Sequence, residues 1–423
     1  MLRISLCLPL LMGIFSICKA QSTTDSTILT LPEAEKLFLQ NNLALLSQQY
    51  NVDVNKALVQ QARYWDNPLL LTDQNLYDGK FFRHTKEGNQ TYGQIYVQLQ
   101  QVIKTAGKRN KLIQLANDNV LSATQQFNDV MRNLKFVLTT DFANLHQLLA
   151  TYSVYSREGA VMEKLAAGME AQFQTGNISQ KDNIRIKSLL FSLQNDQAEV
   201  QRQIAELQKE LHILLHDTGN HVIVPAMQDS LATATVNLPQ LLDSAQNNRP
   251  DLQLAKTNLL TQQHNLAYQK SLAVPDLTVG IEYDRLSSYV PNFWGLTVGL
   301  PIPVLNRNQG NIRAAGTSIR QANNAILQVQ NESQQEVAAA YNKYIIATNL
   351  KKNSPAGLAE QYDRLLQNVI NGYQQRQISL IEFVDFFDAY KETTLKKLQQ
   401  QTTLLSAIAE INFTTGSSVI TIQ

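Results

Sequence analysis

Residues 373–391 carry three closely spaced carboxylates. Glu382, Asp385 and Asp388 recur every third residue and fall near one another on one helix face. Ser379, three residues before Glu382, has the spacing of a helix N-cap with a capping box. In a single chain the three carboxylates repel one another, and their simple use is a solvated helix start favoured by the dipole. Around a symmetry axis the same residues form a negatively charged constriction that retains cations and excludes anions. That chemistry is electrostatic, not covalent.

Other groupings are weaker. His212, His216 and His221 include an i, i+4 pair of the kind that binds Zn²⁺ or Cu²⁺. Only Asp217 supports them, so they read as surface histidines and no metal site is expected. The methionines are scattered. Glu382 and Asp385 could do glycosidase-type acid–base work, but no cleft signature surrounds them. No nucleophile–base pair, phosphate loop or HExxH motif occurs, so neither an enzyme nor a cofactor is expected.

With 36 Lys+Arg against 35 Asp+Glu in 423 residues, no bulk charge points to nucleic acid. Arg3, an apolar run over 4–17 and Cys18-Lys19-Ala20 predict a secretory signal over 1–20, cleaved after Ala20. Cys18 is the alternative lipidation site, although Ser16-Ile17 lacks the small residue such signals carry. Both cysteines, Cys7 and Cys18, lie in this leader, so the mature chain has neither disulfide nor thiolate chemistry. No later run of 18 apolar residues predicts a transmembrane helix.

The elements that must position the acidic stretch are duplicated. Leu31-Pro32 with Asn41-Asn42 recurs as Leu238-Pro239 with Asn247-Asn248, each opening a Gln-rich helix. Strand-like runs follow at 68–77 and 92–100, and again at 275–283 and 293–300. Each pair ends in a Gly-containing basic turn, 104–109 and 306–310. Apolar residues then alternate steps of three and four: Val120, Ala123, Phe127, Val130, Leu134 and Val137 in one half, Ile312, Ala315, Ile319, Ala322, Ile326 and Val329 in the other. That is a coiled-coil seam. The first such helix is expected over about 104–173, roughly 100 Å long. Ser354-Pro355 should kink the second. Return helices follow the turns at 173–179 and 373–379. The expected division is a first repeat over 21–216, a linker over 217–237, a second repeat over 238–416 and a tail over 417–423.

Four strands of about ten residues suit a bilayer crossing. Ile95, Val97 and Leu99 face opposite Gln94, Gln98 and Gln100; Leu277, Val279, Ile281 and Tyr283 face opposite Thr278, Gly280 and Glu282. Leu69, Leu70 and Leu71 break the alternation in the first run. Tyr64, Trp65, Tyr92, Tyr96, Phe293 and Trp294 flank the strands as an aromatic girdle. The 104–109 turn has two readings, a contact to lipid phosphate or a plain helix-start loop. Four strands cannot close a barrel, and an open edge in lipid costs several kcal/mol per unpaired backbone group. Either the strands lie outside a membrane or several chains pool them.

The duplicated plan, the 373–389 stretch, the 298–312 run and the 104–109 turn together resemble the TolC-like outer-membrane efflux channels. The 301–312 run is most similar to their cation-efflux (CzcC-like) branch. The resemblance implies a mainly α fold with a small β membrane portion and a homotrimer. Twelve shared strands would form one barrel in outer-membrane lipid, above an α-barrel tunnel crossing the periplasm. It implies a periplasmic adaptor and an inner-membrane RND-type pump as partners. The tips of the tunnel hairpins would be Gly176-Asn177 and Arg376-Gln377, Arg376 replacing the family's usual glycine. The family's spacing from Tyr373 puts the constriction carboxylates at Glu382 and Asp385; matching the Asp-Phe-Phe-Asp-Ala string puts them at Asp385 and Asp388. Crowding around the axis should raise some of their pKa values. The closed tip would be held by ion pairs involving Asp182, Arg185 or Arg376. The implied function is a passive exit channel for metal cations, with drug-like molecules as the other cargo. A soluble periplasmic coiled-coil scaffold or adaptor is the alternative from a different class.

Overall fold

A computed structural model describes residues 25–77, 79–227, 234–287, 290–355 and 357–421. The expected leader, with Cys7 and Cys18, lies outside the described residues.

Each half opens with two helices where the sequence predicts one. Helix α1 (Leu31–Asn41) breaks at Asn42 before α2 (Leu43–Arg63), and α5 (Leu238–Asn248) breaks at Arg249 before α6 (Pro250–Leu272). The first break has a side-chain cause: the Asn42 carboxamide accepts from the Leu45 amide at 3.0 Å and donates to the Leu214 carbonyl at 2.8 Å. At the second, Pro250 disfavours helical geometry at Arg249.

Strand β1 (Ser26–Thr30) pairs in parallel with β6 (Val222–Ala226), so 217–237 is more than a connector. The four anticipated strands form one antiparallel sheet. They are β2 (Leu69–Gln74), β5 (Ile95–Ile103), β7 (Leu277–Asp284) and β8 (Phe293–Gly299), in the order β2-β5-β7-β8. At six to nine residues they are slightly shorter than expected. The β5–β7 pairing joins the halves. An unanticipated hairpin, β3 (Lys86–Glu87) with β4 (Gln90–Thr91), sits between β2 and β5. Beyond it Gly93 has φ 85°, and a Cβ there would lie 2.0 Å from the Arg83 carbonyl oxygen, which excludes every other residue.

Helix α3 (Lys108–Gln174) runs unbroken for 67 residues, about 100 Å. It turns back into α4 (Gln180–Leu215). The second long helix is broken outright, not kinked as predicted: α7 (Gln309–Lys352) stops and α8 (Leu358–Gln374) restarts from Gly357 at φ 71°. Pro355, which lacks an amide donor, sits in the gap. Helix α9 (Leu380–Thr415) completes the fold. The seam holds except at Val137, which is exposed, while its neighbour Leu138 is fully buried.

Three cores result. One joins α1, α3, α4 and β6 around Phe38, Phe142 and Leu211, and a matching one joins α5, α7 and α9 around Tyr344, Ile408 and Ile411. The third joins α3, α4, α8 and α9 around Met162, Ile186, Phe383 and Phe387. Among the described residues no helix is long and apolar enough to cross a membrane.

Candidate functional site

The two turns that lead into α4 and α9 are built alike. Gly176 and Arg376 are both left-handed, at φ 73° and 60°. Their amides donate to the Phe173 and Tyr373 carbonyls, and the next amides, of Asn177 and Gln377, donate to those of Gln172 and Gly372. A non-glycine residue in this conformation costs on the order of 1 kcal/mol, borne here by Arg376. Ser179 and Ser379 cap the helices that follow.

Glu382 closes the expected capping box: the Ser379 amide donates to its Oε2 at 2.7 Å. That hydrogen bond, with one from the Ser379 hydroxyl, holds its carboxyl below the usual range. Asp182 sits at the matching position of α4, and its Oδ2 accepts the Ser179 hydroxyl at 2.8 Å. Asp385 is exposed, and within the described protomer it has no ion-pair partner. Asp388 lies 3.9 Å from Lys391, which is equally far from Asp196. The three carboxylates are therefore not a free stack: one is a cap, one faces solvent and one leans on a cation. The ion pairs expected from Asp182, Arg185 or Arg376 do not form within one protomer, since Asp182 is committed to its cap and both arginines are exposed. Behind this surface Tyr373, Phe383 and Phe387 stack at 5.1 and 6.0 Å, and the Tyr373 hydroxyl meets Met169 Sδ at 3.0 Å.

Glu158 belongs to none of the motifs above. The steps Tyr155, Glu158, Met162, Leu165, Met169 put it in the apolar seam of α3, the signal that could have found it. It is 1 % exposed, neither carboxylate oxygen has a hydrogen-bond partner, and it lines a cavity of about 250 Å³ with Arg157, Gln367, Phe387 and Tyr390. Burial pushes its carboxyl up to about 7, against the opposing pull of Lys391 and Arg157. The unfolded chain releases this proton near 4.5 and the folded chain near 7, so stability falls as pH rises between those values. The full cost, on the order of 3 kcal/mol, is present above pH 7. Glu158→Gln is accordingly expected to raise the melting temperature at pH 8 and leave it unchanged at pH 4, as read by thermal denaturation at both.

Two of the three histidines share one carboxylate. Asp217 Oδ2 lies 3.3 Å from His212 Nδ1 and 2.9 Å from His221 Nε2, while His216 is spent on the left-handed cap of α4. Among the described residues no group of three or more His, Cys, Asp or Glu can hold a metal ion. The basic turn contacts both halves: Lys104 pairs with Asp66 of its own half at 2.9 Å, and buried Lys108 crosses to Asp276 and the Val274 carbonyl, both at 2.6 Å. Arg109 lies over the Trp65 ring. This favours the helix-start reading over a lipid-phosphate contact. Of the proposed girdle, Tyr64, Trp65 and Trp294 are exposed, whereas Tyr96 donates to Glu282 Oε2 and the Tyr92 ring lies beneath Arg83.

The sheet has two unlike faces. Leu70, Leu99, Ile281 and Leu296 stand in register across all four strands, each more than half exposed. Val97, Tyr283 and Trp294 form the next row on that face. On the opposite face Gln98 donates to Glu282 and Thr297, and Gln94 donates to Asp284. The outer edges of β2 and β8 carry no neighbour among the described residues.

No family model matches the chain. It is 25 % identical over 383 residues to the cobalt-zinc-cadmium resistance protein CzcC of Cupriavidus metallidurans, covering 90 % of this chain and 84 % of that one. In this similarity and in its fold the chain resembles the TolC-like outer-membrane efflux channels. It is also 25 % identical over 251 residues to the pyoverdine export outer membrane protein OpmQ of Pseudomonas putida, 56 % of this chain and about half (49 %) of that one. The solved CmeC outer membrane channel of Campylobacter jejuni shares its fold, with TM-score 0.73 and 12 % identity over 92 % of this chain and 86 % of that one. Long helices beside a small sheet with one apolar exposed face are the TolC-like plan, and the chain is an outer-membrane protein.

Proposed function

We propose that three copies of this chain form a passive exit duct that carries metal cations out across the outer membrane, fed by a periplasmic adaptor and an inner-membrane RND-type pump. The observation that carries the reading is the sheet: apolar on one exposed face, hydrogen-bonded and polar on the other, with both edges open. Such a sheet suits a wall between lipid and water, and the backbone groups at its edges need partners in a bilayer. Three copies supply twelve strands and join each β8 to a neighbour's β2. The repeats over 21–216 and 238–416 then place two helical hairpins per copy around one tunnel, with Gly176, Asn177, Arg376 and Gln377 at the adaptor-facing tip and Glu382, Asp385 and Asp388 lining the constriction. The duct performs no chemistry, and the pump supplies the energy. Similarity to CzcC favours metal cations as cargo, and similarity to OpmQ keeps larger molecules as the alternative.

Membrane retention and conductance test this reading. The protein should stay in the outer-membrane fraction through high-salt and carbonate washes and give discrete channels in planar bilayers. A soluble scaffold would wash off and leave the bilayer silent.

A further inference from the structure

Glu158 sits where α3 meets α8 and α9, on the wall of a cavity of about 250 Å³. Neither of its carboxylate oxygens has a hydrogen-bond partner. The charged and titratable groups around it are engaged with one another instead. On α3, Tyr155 stands one turn back, and Arg157 donates to the Tyr390 hydroxyl of α9 at 2.9 Å. Lys391, also on α9, lies 3.9 Å from both Asp388 and Asp196 of α4. Helix α8 brings Leu366 and Gln367 to the cavity, with exposed Arg364 one turn back. A neutral carboxyl is tolerated in such a place. Its anion, with neither water nor a donor, is costly.

Of the three walls, α8 is the one built to yield. It has 17 residues, against 36 in α9 and 67 in α3. It begins at left-handed Gly357, just beyond Pro355, and ends at the turn of left-handed Arg376. Leu366 and Ile370 seat it in the shared core, while Gln361, Leu365 and Gln367 are exposed.

We propose that Glu158 is a proton-operated lock on α8: neutral, it keeps α8 seated against α3 and α9, and on giving its proton to solvent it releases α8 together with the 373–379 turn. The anion is relieved by water entering as the α8 wall of the cavity moves out. In the locked form the carboxyl gives up its proton near 7, and once hydrated near 4.5. The released-to-locked ratio therefore grows by up to about tenfold per pH unit between those values and levels off above 7. Its effect on conduction rests on the duct reading. The movement of α8 does not.

Hydrogen exchange of the α8 amides over 364–374, corrected for intrinsic rates, tests the lock in the whole protein in mild detergent. Planar-bilayer conductance is read over the same range. Between pH 5 and pH 7.5 the parent should show α8 exchange rising at least tenfold relative to α3, and conductance rising several-fold. Glu158→Gln keeps the shape but cannot ionise, so both readings should stay at their acidic values. Glu158→Asp restores an ionisable group and should restore a pH dependence. A purely structural role would shift the levels in these variants and leave the pH profile alone. A Gln variant that keeps the parent's rise in exchange, or a parent whose α8 exchange ignores pH, would overturn the lock. The predicted exchange response in a protein that never conducts would uphold the lock and overturn the duct reading.

Discussion

Arginine at both Ile281 and Leu296 is expected to abolish accumulation of assembled protein in the outer membrane. The two positions are adjacent across β7 and β8, with Cα atoms in register, and both project from the apolar face. An arginine on the lipid face of a membrane barrel costs about 2–4 kcal/mol near the bilayer midplane. With two per copy and three copies, a closed barrel would carry six, a cost comparable to the whole stability of an ordinary domain. Thr278→Lys, on the opposite face of β7, meets water in a barrel and should be tolerated. Semi-native electrophoresis of outer-membrane fractions reads the outcome. Equal assembly of the double arginine variant and Thr278→Lys would show that the apolar face is not in lipid.

The second large effect concerns the constriction. Glu382→Ala with Asp385→Ala should raise single-channel conductance and remove cation preference. The fold should survive. Asp385 is exposed, and losing the Ser379–Glu382 capping box costs about 1 kcal/mol out of a much larger total. The sign also follows from Glu382 itself: its carboxyl is held below the usual range, so it stays ionised as the periplasm acidifies and the collar keeps its charge. Reversal potentials in asymmetric salt give the preference directly. Unchanged conductance and selectivity would remove Glu382 and Asp385 from the constriction.

Much of this was legible in the sequence because the signals are local and repeated. The seam steps of three and four, the Gln/apolar alternation at 94–100 and the Ser379–Glu382 spacing each encode their own geometry, and each element formed. The discrepancies involve long-range partners or single-residue backbone effects. Asn42 breaks a helix because its carboxamide reaches Leu214, 172 positions away. Strand β6 exists because β1 lies beside it. Pro355 followed by left-handed Gly357 turned an expected kink into a gap. At the tip, spacing located the acids but not their states: Glu382 is a cap, and Asp388 leans on Lys391 at 3.9 Å.

The central claim is that chains pool their strands, and the native mass of the mature protein in mild detergent, measured alongside conductance of the same sample, addresses it most directly. The account predicts a particle of three protomers that opens channels in lipid. A monodisperse single chain that leaves the bilayer insulating would contradict it.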